Sequence, residues 1–317
     1  YGPPDLNFNQ MTILTPPATV SAGQDITLVM TLSNAGETAA VNVWPEMPLT
    51  RVGSATATLI SGPVPVTTTL AALTGESSYT WVYRTGGSGA LGFYGRAVGY
   101  DARTNAVYHS VSATSNQINV QSQAMLSASI TADQYALNVG QSVTVRMQVA
   151  NNGQSTASNV SPSSLYITNA STGGMVPPIG PLPISQNIPG GESREFIWEY
   201  LATASGTVVL TGNASGTDQN SGAPVSSDYA SSSQITIQSP AALSVNIWAV
   251  PALTATAKTG QLITVYMAVT NTGGAAANTV LPSALVLSAP IASVNTAPSA
   301  GVNIPGGGSA YFTWTYN

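Results

Sequence analysis

Apolar and polar residues alternate along one short stretch of this chain, and the stretch occurs three times. Gly23-Gln-Asp precedes Ile26, Leu28, Met30 and Leu32 at every second position. Gly140-Gln-Ser precedes Val143, Val145, Met147 and Val149, and Gly260-Gln-Leu precedes Ile263, Val265, Met267 and Val269. A period of two buries one face of a β-strand, which places Met30, Met147 and Met267 at matching core positions. The same turn follows each strand: Asn34-Ala-Gly36, Asn151-Asn-Gly153 and Asn271-Thr-Gly273. Asn and Gly are expected there because both tolerate the positive φ of a tight turn. Beyond each Gly, Ala (Ala40, Ala157, Ala277), Val (Val43, Val160, Val280) and Pro (Pro45, Pro162, Pro282) recur at fixed offsets.

A third block alternates aromatics. It holds Tyr79, Trp81 and Tyr83 in the first copy, Phe196, Trp198 and Tyr200 in the second, and Phe312, Trp314 and Tyr316 in the third. Three rings on one strand face make a large core payload, so Trp81, Trp198 and Trp314 join the three Met residues as the expected repeat core. Copies one and two continue through Gly-rich strands ending at Asp101 and Asp218. They close on Gln117-Ile-Asn-Val-Gln121 and Gln234-Ile-Thr-Ile-Gln238. Short alternating strands on this period predict an all-β chain of tandem immunoglobulin-like antiparallel β-sandwiches arranged as a rod. The units fall at residues 1–121, 122–238 and 239–317, with few residues between them.

By the same period, the third unit lacks its last two strands. The expectation is a natural chain that continues past Asn317. The alternatives are strands donated to repeat 3 by a neighbouring chain, or a degenerate copy. Tyr1–Gln10 aligns with the opening strands Met125–Ile130 and Leu243–Ile247, so it is expected to serve its own repeat rather than be donated. A start at Tyr1 rather than Met is read as a processed export signal.

The pattern Gly-Gln-x-Val-Thr-Val, then Asn-x-Gly, then Pro-Gly-Gly-Glu-Ser with aromatic-x-Trp resembles the CARDB family of cell-adhesion-related, immunoglobulin-like domains of bacterial and archaeal surface proteins. Gly140–Gly153 and Pro189–Trp198 carry it, with partial equivalents in the other copies. The resemblance implies extracellular, tandem, structural or adhesive modules, and brings no catalytic residues with it.

Composition narrows function further. Charged residues are 6% of the chain, against roughly 25% in an ordinary domain, while Ser and Thr number 37 each. With no Cys, disulfides and thiolate metal sites are excluded. A net charge of −5 without a basic cluster argues against nucleic acid as a partner, and no apolar stretch reaches the ~18 residues of a membrane helix. The repeats carry −2, −4 and +1, so the third is almost uncharged.

Candidate chemistry is sparse, and neither an enzyme nor a cofactor is expected. His109 is the one histidine and reads as an exposed loop residue. Glu195 and Glu199 share a strand face, but the aromatics claim the inward side and turn both toward solvent. Asp218-Gln-Asn220-Ser-Gly222 echoes a calcium loop without its terminal Glu, and copy one has Asp101-Ala-Arg-Thr-Asn105 there; a polar hairpin turn is expected. Lys258, the one lysine, stands where the other copies have Ser21 and Asn138, and an isopeptide role is disfavoured. Asn159, Asn169 and Asn213 begin glycosylation sequons. Trp44 and Trp248 lack equivalents in the other copies; a core or inter-repeat contact is expected for them, with sugar stacking as the alternative.

Low charge leaves sheet edges without the usual lysine guards. The expectation is therefore an extracellular structural protein that self-associates into a polymer, as a surface filament, pilus-like fibre or surface layer. The alternatives are a spacer or adhesin stalk, and an accessory glycan-binding region of a secreted hydrolase.

Overall fold

A computed structural model of the chain describes residues 1–14, 18–168, 173–176, 178–252, 256–288 and 292–317. Every regular element among them is a β-strand, and no helix is long and apolar enough to cross a membrane.

Each repeat is built on one antiparallel sheet whose middle is the alternating strand and the aromatic strand. In repeat 2, Ser142–Asn151 pairs with Leu126–Ala132 on one side and Ser193–Ala204 on the other. The register sets Val145 opposite Trp198 and Met147 opposite Phe196. Repeat 1 has the same arrangement in Leu6–Leu14, Asp25–Asn34 and Gly75–Gly86, and repeat 3 in Leu243–Val250, Ile263–Asn271 and Ser309–Tyr316. The period-two pattern thus turns one side of every middle strand toward a single core. Met30, Trp81, Met147, Trp198, Met267 and Trp314 are all buried in three separate apolar clusters. Leu6–Leu14 lies along its own repeat's middle strand, so the N-terminal segment serves repeat 1 itself.

Opposite this sheet, repeat 1 carries Ala97–Asp101 between Val107–His109 and Ala40–Pro45. Beside it, Ile118–Gln121 pairs with Gly89–Gly95. Not every pair is antiparallel. Ile118–Gln121 runs parallel to Thr19–Ser21, and Ile235–Gln238 runs parallel to Ala136–Asn138. The short strand leaves the first sheet and pairs with the last strand of the second, covering an edge that would otherwise stand open.

The Asn-x-Gly turns form for a reason different from the one expected. Neither residue has positive φ in any copy. The Asn side chain is instead a buried staple. Asn151 Oδ1 accepts from Met125 N and Gly153 N (3.0 Å each), while Nδ2 donates to Ser155 O (2.8 Å) and Ile188 O (2.9 Å). Asn34 and Asn271 make the same set. The Gly is required for space: a Cβ at Gly153 would lie 2.0 Å from Gln123 O, and one at Gly273 1.9 Å from Pro240 O. Gly153→Ala should therefore destabilise repeat 2 by on the order of 3 kcal/mol, read as a lower urea midpoint; an unchanged midpoint would contradict the close approach. Left-handed backbone falls elsewhere, at the Gly-Gln turns (Gly23 φ 91, Gly140 φ 89, Gly260 φ 79) and at bulge residues Asn42, Asn159 and Thr279.

Candidate functional site

Two surfaces stand out once the repeats are compared position by position. The first is the junction of repeats 1 and 2. Gln24 follows the positive-φ Gly23, and its Oε1 accepts from Ser21 N (2.6 Å), which closes the turn. The turn sits against the Asp218–Ala223 hairpin of repeat 2. Ser21 Oγ donates to Asp218 Oδ1 (2.8 Å), and Asp218 Oδ2 accepts from Ala124 N (2.8 Å). Ser221 adds its N and Oγ to Oδ1, both at 2.8 Å. Asn220 Nδ2 donates to Gln121 Oε1 (2.9 Å) and Ser21 Oγ (3.3 Å), while Gln24 Nε2 reaches Asn220 O (3.3 Å).

Asp218 is fully buried in this network. Burial pushes its carboxyl up, but the bonds from Ala124, Ser221 and Ser21 outweigh that and hold it below its ordinary 3.8. The segment with a faint calcium-loop pattern is therefore a polar hairpin whose carboxylate is spent on protein donors. Sequence reasoning missed the clasp, although its signal was present: a Gln after the Gly in all three copies, and an Asp at one place in copies one and two.

The second surface is the inner face of repeat 3. In repeat 2, Leu126–Ala132 lies against Ala214–Asp218, Pro224–Ser226 and Ala230–Ser231, and Leu126 and Ile130 are 6% and 4% exposed. The matching residues Leu243 and Ile247 are 48% and 47% exposed, and Val245 between them 55%. Only Ala277–Val280 and Val302–Ile304 stand in the opposite sheet of repeat 3 among the described residues. Alternation gives this strand an apolar face that is half-exposed among the described residues.

The remaining candidates do not converge. His109 lies on the Val107–His109 strand rather than in a loop, because that segment pairs with Ala97–Asp101. Its Nδ1 is 3.0 Å from Glu46 Oε1, and Arg96 Nε is 2.6 Å from Glu46 Oε2. The Arg96 hydrogen bond, against some desolvation, holds the Glu46 carboxyl below its usual range. Half-exposed and mutually satisfied, the three side chains form a surface cluster around the Glu46–Arg96 ion pair. Glu195 pairs with Arg146 (2.9 Å) and Glu199 is exposed.

Trp44 and Trp248 lie neither in a core nor at the junction of repeats 1 and 2. Trp44 tilts against Tyr100 at 5.6 Å, and Trp248 stacks on Tyr266 at 5.5 Å with Tyr311 edge-on at 6.3 Å. Trp248 follows Ile247, so the strand's alternation turns it to the outer side of its sheet. Lys258 is exposed in the Gly-Gln turn of repeat 3, and its ammonium has no partner among the described residues. Asn159 is exposed and Asn213 half-buried; Asn169 lies outside the described residues. No group of three His, Asp or Glu suited to a metal occurs among the described residues.

No family model matches this chain, and no curated protein matches it. Among solved structures it is similar to a chain named BspA_C_WT, at 8% identity and TM-score 0.33, covering 71% of this chain and 99% of that one. It is also similar to the C-terminal domain of the Streptococcus agalactiae AgI/II polypeptide BspA, at 9% identity and TM-score 0.31, covering 72% and 99%. Likeness at that level carries no function across.

Proposed function

We propose that this protein is a non-enzymatic, extracellular structural protein that self-associates as a subunit of a surface filament, pilus-like fibre or surface layer. The observation that carries the reading is the scarcity of charge. Charged residues are 6% of the chain, and repeat 3 holds one, Lys258, so the sheet edges lack the charged guards that oppose association. The resemblance to CARDB modules supports the same reading.

Sedimentation velocity of the full chain across a concentration series tests it. The protein should sediment as species that grow with concentration. Monomers at every concentration would contradict the proposal.

A spacer or adhesin stalk is the second reading. The clasp at Asp218 favours it, because a buried, fully bonded junction fixes one module against the next, as a stalk requires.

A further inference from the structure

Three aromatic rings meet on the outer face of the first sheet of repeat 3, at positions where the other repeats carry none. Trp248 pairs with Tyr266 across neighbouring strands, and Tyr311 lies opposite Ala268 one strand further on. The Trp248 and Tyr266 rings stack with centroids 5.5 Å and planes 15° apart, and Tyr311 stands edge-on to Trp248 at 6.3 Å. Tyr311 is 68% exposed and Trp248 37%.

The strand register identifies the counterparts of these rings. They are Thr12, Val29 and Ser78 in repeat 1, and Thr131, Arg146 and Glu195 in repeat 2. Arg146 and Glu195 form a surface ion pair there, at 2.9 Å. Both repeats build the same sheet without rings at the three places, so the architecture does not require them. Ser78, Thr131 and Glu195 are exposed although repeats 1 and 2 possess both of their sheets, so a complete sandwich leaves this face open to solvent. Large exposed rings with no packing duty mark a binding surface.

The groups around the rings indicate what is bound. Asn246 precedes Trp248 by two residues and Thr313 lies opposite Tyr266, so alternation places both on the ring face. Both are exposed, and neither side chain has a hydrogen bond among the described residues. The one charge of repeat 3, Lys258, stands in its Gly-Gln turn. Rings beside free amide and hydroxyl groups, without charge, suit a neutral sugar. A pyranose presents a C–H face that stacks on an aromatic ring, and its hydroxyls pair with side chains that both donate and accept.

We propose that this face binds a neutral polysaccharide, with Trp248 and Tyr311 stacking on pyranose rings and Asn246 and Thr313 hydrogen-bonding the sugar hydroxyls. The rings lie along a sheet surface, which suits an extended chain crossing it. A uronic or sulfated chain would call for basic side chains, which the face lacks. The outer faces of repeats 1 and 2 fit it poorly, because they carry the Arg84–Asp25 and Arg146–Glu195 pairs, whose desolvation against rings is costly.

Affinity electrophoresis of the full chain tests the proposal, at concentrations below those at which chains associate. Native gels cast with hydroxyethylcellulose, glucomannan, xylan or dextran should retard the wild type in at least one case relative to a plain gel. Gels cast with alginate, an anionic chain, should not. Trp248→Thr/Tyr266→Arg/Tyr311→Glu installs the residues that repeat 2 uses at these positions. It should raise the apparent Kd at least about tenfold while Ile263–Asn271 keeps its hydrogen-exchange protection. Tyr311→Ala, at a side chain that projects into solvent, should weaken binding in the same direction and decides alone if the triple variant loses protection. Unaltered migration in all four neutral glycans, or equal retardation of wild type and variants, overturns the proposal. Loss of concentration-dependent association in the triple variant, with no retardation of the wild type, overturns it in favour of a contact between copies.

Discussion

Replacing Asn151 by Ala should unfold repeat 2 selectively. The substitution strands two amide donors, Met125 N and Gly153 N, and two acceptors, Ser155 O and Ile188 O, at a site 1% exposed. At roughly 1–3 kcal/mol for each unsatisfied group, the loss is on the order of 5 kcal/mol. That is comparable with the whole stability of a small domain. The expected result is a fall of about 15 °C or more in the repeat 2 transition by calorimetry. Fast hydrogen exchange across Ser142–Asn151 should accompany it while repeat 1 keeps its protection. Asn151→Asp should not rescue, because an ionised carboxylate cannot donate to the Ser155 and Ile188 carbonyls. A shift of a few degrees would mean that water replaces the staple, which its burial argues against.

The second large effect is expected at Asp218. Asp218→Ala removes the acceptor for Ser21 Oγ, Ala124 N and Ser221 N and Oγ. Hydrogen bonds to a charged group contribute about 1.5–3 kcal/mol each, so the junction should lose on the order of 3 kcal/mol even after local rearrangement. Repeats 1 and 2 should then melt independently, and protease should cut at Ser122–Ala124 at least about tenfold faster.

Acid should produce the same opening in the wild type, with a definite sign. The folded pKa of Asp218 lies below its ordinary 3.8. The stabilisation is therefore fully present above about 3.8 and is lost as pH falls through the lower folded value. Asp218→Asn, which sets an amide donor against Ala124 N–H, should open the junction at neutral pH and remove its acid dependence. Identical melting of wild type and Asp218→Ala would show that the clasp does not couple the repeats.

The legible parts of the fold were those set by period and volume. Ile26–Leu32, Val143–Val149 and the alternating rings around Trp81, Trp198 and Trp314 form a face that only a buried strand can use. Residues that act through side-chain hydrogen bonds to distant backbone were not legible. Asn34 and its equivalents resemble turn formers in sequence, because nothing local says that their amides reach Leu70 O, Ile188 O or Ile304 O. Asp218 resembles a loop acid, because Ser21, its partner across the junction, lies 197 residues away. Trp248 lacks an equivalent in the other copies and so is expected at a core or inter-repeat contact, yet the neighbouring Ile247 takes the inward position and alternation turns Trp248 outward. The different exposure of Leu243 and Ile247 from that of Leu126 and Ile130 was legible only once the repeats were superposed position by position.

Imaging the full chain by negative-stain electron microscopy across a concentration series, beside native surface material, tests self-association most directly. The account predicts regular fibres or sheets that form as concentration rises and match the native material. Dispersed single chains at every concentration, in both preparations, would contradict it.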